Sequence, residues 1–321
     1  MDTDYSGLQK SAKQLLKSFE ELKKNINELE KSSKKINKLY NEYIEMAEKN
    51  VEVVILPDIH GRTFWKETVK DYIKKKYVFL GDYFDPYPHE RYSFNDVMNN
   101  FEDIIKFKKE NPDNVVLLLG NHDFGYLERG ICSCRQYHGP EFEDVRNALM
   151  TNIDLFDICY EEIINDKHFV FSHAGIRREW DERVRKLTNY TSYGEDNKPL
   201  PCMYYNSLFH KNVNDNNSVL YELLADVSYI RGGHSRYGSI VWADIREFAD
   251  RYLDGKKMEN KSGFDDIIQI VGHTQLYDKA VSLNDKVFDL DIREPFYIDG
   301  LGNVKYWRTN KIVEPITNKN D

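Results

Sequence analysis

An α/β fold with parallel strands, preceded by one long helix, is what this 321-residue sequence predicts. Three observations carry that reading. Residues 8–48 hold a heptad seam without a single Pro or Gly. From residue 51 onward, short apolar runs alternate with segments of helical period. Five of those runs end in a short polar piece that carries a metal-ligand residue beside a glycine or another small residue.

In the N-terminal helix, apolar or small residues fall alternately four and three apart: Leu8, Ala12, Leu15, Phe19, Leu22, Ile26, Leu29, Ser33, Ile36, Tyr40, Tyr43 and Ala47. That spacing is an a/d seam held for about five heptads. Two readings stand: an amphipathic helix lying on the catalytic body, or a coiled coil with a second copy or another partner. Residues 1–50 carry ten Lys against nine acids, a net of +1, so the rest of the chain carries −10. The pattern changes at Val51, which sets the expected domains at 1–50 and 51–321.

Beyond that point the expected elements are a strand at 53–57, a helix at 62–75, a strand at 77–81, a helix at 94–110 closed by Asn111-Pro112, and a strand at 115–120. A mostly helical stretch covers 126–157. Strands at 158–164 and 168–172 are joined by Asn165-Asp166. Residues 189–217 read as a surface excursion near the site mouth, with Tyr190, Tyr193, Tyr204, Tyr205 and Phe209 as candidate groove walls. Helices near 218–228 and 244–254 flank a short strand at 239–242. Strands follow at 266–272, 279–283, 286–290, 295–299 and 303–308.

Composition bounds the function. Forty per cent apolar and 31% charged residues describe a globular protein,. The acidic balance lacks the basic footprint of a nucleic-acid binder, yet bound cations can reverse charge inside a site and admit phosphorylated substrates. No run approaches the length of a membrane span, and the first thirty residues lack the apolar core of a signal peptide. Four cysteines without zinc-knuckle or disulfide spacing fit a reduced, cytoplasmic chain; Cys132-Ser133-Cys134 is too tight for a standard chelating pair,.

The five polar pieces are Asp58-Ile59-His60-Gly61, Gly81-Asp82-Tyr83-Phe84-Asp85, Gly120-Asn121-His122-Asp123, Ser172-His173-Ala174-Gly175 and Gly272-His273-Thr274. Carboxylate, imidazole and amide oxygen together suit Mn²⁺, Fe or Zn²⁺ rather than a calcium cage. A single carboxylate can bridge two ions about 3.5–4 Å apart, an arrangement suited to displacement at phosphorus. In this order the pieces resemble the calcineurin-like metallophosphoesterases, most closely the phosphoprotein phosphatase branch with its bacterial and phage relatives. Gly-His-Thr stands where nuclease-like members have Gly-His-x-His.

The resemblance implies a four-layer α/β/β/α sandwich. It implies two divalent ions, Mn²⁺ first with Fe or Zn²⁺ as alternatives, one held by Asp58 and His60 and bridged by Asp82 to another held by Asn121, His173 and His273. It further implies direct attack on a phosphomonoester by a hydroxide between the ions, His122 as general acid and Asp85 as its orienting partner. One departure stands out: Pro86-Tyr87-Pro88 replaces the Arg-Gly that follows Asp85 in eukaryotic-type members, so the phosphate-holding Arg is sought at Arg246, Arg62 or Arg91. Arg231-Gly232-Gly233-His234 lacks the strand-to-helix placement of a phosphate cradle. The expected substrate is a phosphoprotein or a small phosphorylated metabolite. The alternatives are a dinucleoside polyphosphate or other nucleotide, and an inert scaffold acting through a homo-oligomeric N-terminal helix. A phosphodiesterase or nuclease is disfavoured by the missing second His.

Overall fold

A computed structural model describes residues 6–69, 75–127, 136–190, 198–213, 223–249 and 261–315, with backbone only at 6–9 and 12. The chain divides into two units, Met1–Asn50 and Val51–Asp321. The first is one helix, α1 (Ser6–Lys49), of 44 residues. At 1.5 Å per residue it is about 66 Å long. Its seam residues Leu15, Phe19, Leu22, Ile26, Leu29, Ile36, Tyr40 and Tyr43 are all about half exposed or more, as are the flanking Leu16, Leu39 and Met46.

The second unit is built on two sheets. The first contains β1 (Val51–Leu56), β2 (Lys76–Phe79), β3 (Val115–Leu118) and β4 (Phe156–Asp157), all mutually parallel, with β10 (Phe296–Asp299) antiparallel beside β1 and β11 (Val304–Tyr306) antiparallel beside β10. The second has the order β5 (Cys159–Ile164), β6 (Lys167–Ser172), β7 (Ile268–Val271), β9 (Val287–Asp289), β8 (Val281–Leu283). Only β6–β7 and β7–β9 are parallel there. Both sheets are mixed: parallel strands form their centres, and the β5–β6 hairpin and the C-terminal strands β8, β10 and β11 add antiparallel pairs.

Alternation along each strand builds the sandwich. Val53, Ile55, Val78, Leu80, Leu118, Phe296 and Ile298 of the first sheet meet Phe169, Phe171, Ile270 and Phe288 of the second in one buried layer. The residues between them, Val54, Leu56, Tyr77, Phe79, Val115 and Leu117, face the opposite way. They pack with Phe101, Ile104 and Phe107 of α3 (Phe94–Glu110) and with Val145 and Leu149 of α5 (Gly139–Thr151). Strands covered on both faces read as continuous apolar runs. Each such side chain, fully buried, contributes about 1.5–3 kcal/mol. Asn165 and Asp166 both have positive φ, 49° and 59°, and close the two-residue turn of the β5–β6 hairpin,.

Several elements differ from the sequence reading. Among described residues, the 62–75 helix is only α2 (Lys66–Val69). The 126–157 stretch resolves into the end of α4 (Asn121–Leu127), α5 and β4. The 189–217 excursion contains α7 (Cys202–Asn212), whose Tyr205 and Phe209 are buried. Tyr205 packs on Trp180 of α6 (Arg178–Thr188), and Phe209 packs on Phe124. These aromatics are core rather than groove walls. Residues 239–242 form a turn, and only Ile245–Glu247 of the 244–254 helix is helical, as one 3₁₀ turn. Cys132, Cys134, Tyr193, residues 218–222 of the 218–228 helix and residues 250–254 of the 244–254 helix lie outside the described residues.

Candidate metal centre and active site

All five polar pieces follow strand ends, and the backbone ties them into one floor. Past β1, the amides of Ile59, His60 and Gly61 donate to the carbonyls of Gly81, Asp82 and Tyr83 at 3.3, 2.6 and 3.0 Å, continuing the parallel ladder beyond its strands. Asp123 binds the third piece to the second: its carboxylate accepts from the amides of Asp82 (2.8 Å), Tyr83 (3.0 Å) and Gly120 (2.8 Å). The amide of Gly272 donates to the His173 carbonyl at 2.9 Å, and the amide of His273 to Asp58 Oδ1 at 3.0 Å. Buried Gln269 bonds both ways with the backbone of Ile176, which fixes the turn after His173.

This floor holds unusual backbone. His60, Asp82, Asp85 and His273 sit at φ 43°, 54°, 60° and 68°. Left-handed non-glycine residues cost of order 1–3 kcal/mol each and gather where a site over-determines them. Gly120 has no room for a side chain: a Cβ would stand 2.1 Å from Asp82 Oδ1. Gly120→Ala should therefore displace Asp82 and lower thermal stability by about 1–3 kcal/mol. A melting curve and a turnover rate matching the wild type would contradict this.

Asp82 is shared by two groups, His60 with His122 and His173 with His273, and within each group the ligand atoms lie within 4.8 Å of one another. His60 Nε2 is 4.0 Å from Asp58 Oδ2 and 3.6 Å from Asp82 Oδ2. His173 Nε2 is 3.5 Å from Asp82 Oδ2, 2.9 Å from Asn121 Oδ1 and 3.1 Å from His273 Nδ1. The opposite ring nitrogens fix the tautomers: His60 Nδ1 donates to the Phe84 carbonyl (2.7 Å) and His173 Nδ1 to the Leu80 carbonyl (2.9 Å). A carbonyl can only accept, so each Nε2 turns a lone pair toward the oxygens around it. Burial, reinforced by the His122 charge, lowers His60 to about 4. Burial and the Arg231 charge hold His273 well below the usual range. Neutral imidazoles, carboxylates and an amide oxygen converging through their lone pairs form a donor set that cations reconcile.

His122 differs from these histidines. Its side chain is 22% exposed, its Nδ1 lies 2.7 Å from Asp85 Oδ2, and its amide donates to Asp82 Oδ1 at 2.9 Å. The other Asp85 oxygen accepts from the Tyr126 hydroxyl and from the Gln136 amide (3.1 Å). Burial pulls the imidazole down, but the charge of Asp82 and the charge and hydrogen bond of Asp85 outweigh it and raise His122 to about 9.

Residues 51–301 match the family model of the calcineurin-like phosphoesterases. The chain belongs to that family. The phosphoesterase resembles the cold-active protein-tyrosine phosphatase of a psychrophilic Shewanella, at 16% identity and a TM-score of 0.51, over 83% of this chain and 81% of that one. It also aligns with a serine/threonine phosphatase of Saccharomyces cerevisiae at 14% identity, over 78% and 73% of the two chains, with a TM-score of 0.39. A phosphatase domain of a Legionella effector aligns at 13% identity, over 71% and 77%, with a TM-score of 0.36. At these identities the likeness is one of fold alone. No curated protein matches the sequence.

The three candidate arginines of the phosphoesterase are not equivalent. Arg62 is buried: Nε and Nη2 donate to the Glu90 carboxylate at 2.6 and 3.2 Å, and Nη1 to the Asp58 carbonyl at 3.1 Å. Arg246 donates twice to Asp244, at 2.7 and 3.0 Å, with its side chain 47% exposed. Arg91 is exposed at the end of a 3₁₀ turn and at φ 57°.

The sequence reading left out four neighbours of the site. Arg231, in the stretch dismissed as a phosphate cradle, donates to the His273 carbonyl (3.2 Å) and to Thr274 Oγ1 (3.0 Å), and its Nε lies 2.7 Å from Asp244. Together with Arg246, Thr274 and Leu276 it lines a cavity of about 880 Å³ beside the last polar piece. Tyr87, in the segment that replaces Arg-Gly, packs its ring on His60 at 5.4 Å between the guanidiniums of Arg62 (5.4 Å) and Arg293 (4.9 Å). Asp289 and Asp291 are both buried. The available signal was two acids alternating with apolar residues in Phe288-Asp289-Leu290-Asp291-Ile292, where an interior strand has no reason to carry charge,.

Proposed function

We propose that this phosphoesterase is a metal-dependent phosphomonoesterase acting on phosphorylated side chains or small phosphorylated metabolites. The observation that carries the reading is the convergence of lone pairs on both sides of Asp82, next to a His122–Asp85 pair. Members of the family are metal-dependent. The residues that would hold one ion are Asp58, His60 and Asp82; those for a second are Asp82, Asn121, His173 and His273. Mixed oxygen and nitrogen donors favour Mn²⁺, with Fe or Zn²⁺ as alternatives. When bound, such ions supply Lewis acidity at the phosphoryl oxygens and lower the pKa of water.

The chain's own groups supply the rest. His122, held cationic, gives its proton to the departing oxygen, while Asp85 fixes the ring through Nδ1. Tyr126 and the Gln136 amide keep Asp85 from rotating away. Arg62, committed to Glu90 and the Asp58 carbonyl, acts as a brace for Asp58. Arg246 and Arg231 both bond to Asp244 and line the cavity beside the last polar piece. They are the better placed holders of phosphate oxygens.

A substrate panel tests this reading. With Mn²⁺ present, phosphopeptides and p-nitrophenyl phosphate should be hydrolysed far faster than bis-p-nitrophenyl phosphate. Preference for diadenosine tetraphosphate over every monoester by several orders of magnitude would overturn the monoesterase assignment.

The N-terminal helix belongs to the same proposal as a self-associating coiled coil that places the chain in a homo-oligomer. Eleven large apolar side chains on one helix are about half exposed or more. A seam of that length needs a partner face to bury it. Light scattering on the full chain should give a mass of at least two copies, and on residues 51–321 the mass of one. A monomeric full chain would refute this.

A further inference from the structure

Two buried carboxylates on the strand next to His273 have no assigned role, and each keeps an oxygen without a hydrogen-bond partner: Asp289 Oδ2 and Asp291 Oδ1. Their placement is set by β9. That strand runs parallel to β7 with Asp289 opposite Val271, the residue just before Gly272-His273-Thr274. The chain keeps to this path beyond the strand, since the Leu290 amide donates to the Val271 carbonyl and the Leu276 amide to the Asp291 carbonyl, both at 2.9 Å. Asp58 reaches the same loop from the other sheet through the His273 amide (3.0 Å). Asp58 and Asp291 thus flank one loop. Charge places them as neighbours too: the groups that Asp291 feels most are Asp58, Arg62, Asp82 and Arg293.

Against burial and the charges of Asp58 and Asp82, Arg62 and Arg293 both favour the charged form of Asp291. Arg62 is committed to Glu90 and the Asp58 carbonyl, and Arg293 lies over the Tyr87 ring. Asp291 is 2% exposed. A buried carboxylate oxygen without a donor costs free energy, and the costs of two nearby carboxylates add to it. Hydrophobic packing offers no reason for an acid here, since the neighbouring Leu290 and Ile292 already belong to the apolar layer between the sheets. A cation held by Asp58 and His60 would offset the penalty. Asp291, like Asp58, stands outside the two groups whose ligand atoms lie within 4.8 Å of one another.

We infer that Asp291 is a further acidic member of the metal centre, a positioning residue that raises the affinity of the Asp58–His60 ion site. This rests on the metal-dependent reading above. The test titrates metal-free protein with Mn²⁺, following bound ion by electron paramagnetic resonance, and compares wild type with Asp291→Asn and Asp291→Ser. Both variants should weaken one of two sites by about 10- to 100-fold, as loss of an outer partner of a metal ligand does, and leave the other unchanged. Thermal melting adds a readout that needs no bound ion. Without metal, both variants should melt at or above the wild-type temperature, and saturating Mn²⁺ should raise their melting temperature less than it raises the wild type's. Unchanged affinity at both sites, or a loss of stability in the metal-free state with normal Mn²⁺ affinity, would overturn the inference. Wild-type protein that binds no Mn²⁺ would instead refute the metal-dependent reading itself.

Discussion

Asp82→Asn should lower phosphomonoester turnover by about 10³-fold or more and weaken Mn²⁺ binding at both positions together. The substitution is isosteric and keeps an oxygen for the His122 amide, which donates to Asp82 Oδ1. What it removes is the negative charge that faces Nε2 of both His60 and His173, at 3.6 and 3.5 Å. Lewis-acid stabilisation by bound ions is worth several kcal/mol, and each 1.36 kcal/mol is a factor of about ten in rate. Loss at one site only, with the other at full affinity, would show that Asp82 is not shared. Circular dichroism matching the wild type would confirm that the loss is one of charge rather than of fold.

The second large effect concerns His122. His122→Asn should cost about 10²–10⁴-fold in kcat on an alkyl phosphate such as a phosphoserine peptide. The loss on p-nitrophenyl phosphate should be much smaller, because p-nitrophenolate leaves without a proton. That contrast separates general acid catalysis from a structural role, which would depress both substrates alike. The pH profile gives a second readout. His122 is raised to about 9, by Asp82 and Asp85 against the effect of burial. The acid form is therefore complete at neutral pH and is lost as pH rises through about 9. Wild-type turnover of the alkyl substrate should fall across that region, and the variant's should not. The same shift has a stability consequence of fixed sign: the folded state holds this proton more tightly than the unfolded chain does. Its contribution is full below the ordinary histidine range, near pH 6.5, and is lost as pH rises through about 9.

Much of this site was legible because its residues follow strands. Val53–Leu56, Tyr77–Phe79 and Val115–Leu118 are buried on both faces, so their apolar runs stand out, and the polar pieces at their ends stand out against them. What period and motif do not encode is how side chains partner across elements. Arg62, Arg246 and Arg231 look alike as letters; Glu90 and Asp244 decide which of them is committed and which two share a charge. The 189–217 stretch looked like a polar loop because Asn, Asp, Gly and Pro dominate its composition. Within it, Tyr205 and Phe209 fall four apart and form the buried stripe of α7. The C-terminal strands were legible as strands, but not the antiparallel return of β10 onto the first sheet, since strand direction depends on pairing partners more than two hundred residues apart, as for Ile55 and Phe296. Asp291 matches no motif, because it lies two residues past the end of β9 with neither a glycine nor a histidine beside it.

The measurement that tests the central claim most directly is turnover of p-nitrophenyl phosphate by chelator-stripped protein, before and after Mn²⁺ is restored, with Asp82→Asn alongside. The account predicts negligible turnover by stripped protein, recovery with Mn²⁺ in the wild type, and no recovery in the variant. Equal turnover by stripped and restored wild-type protein, or equal and negligible rates in wild type and variant under every condition, would contradict it.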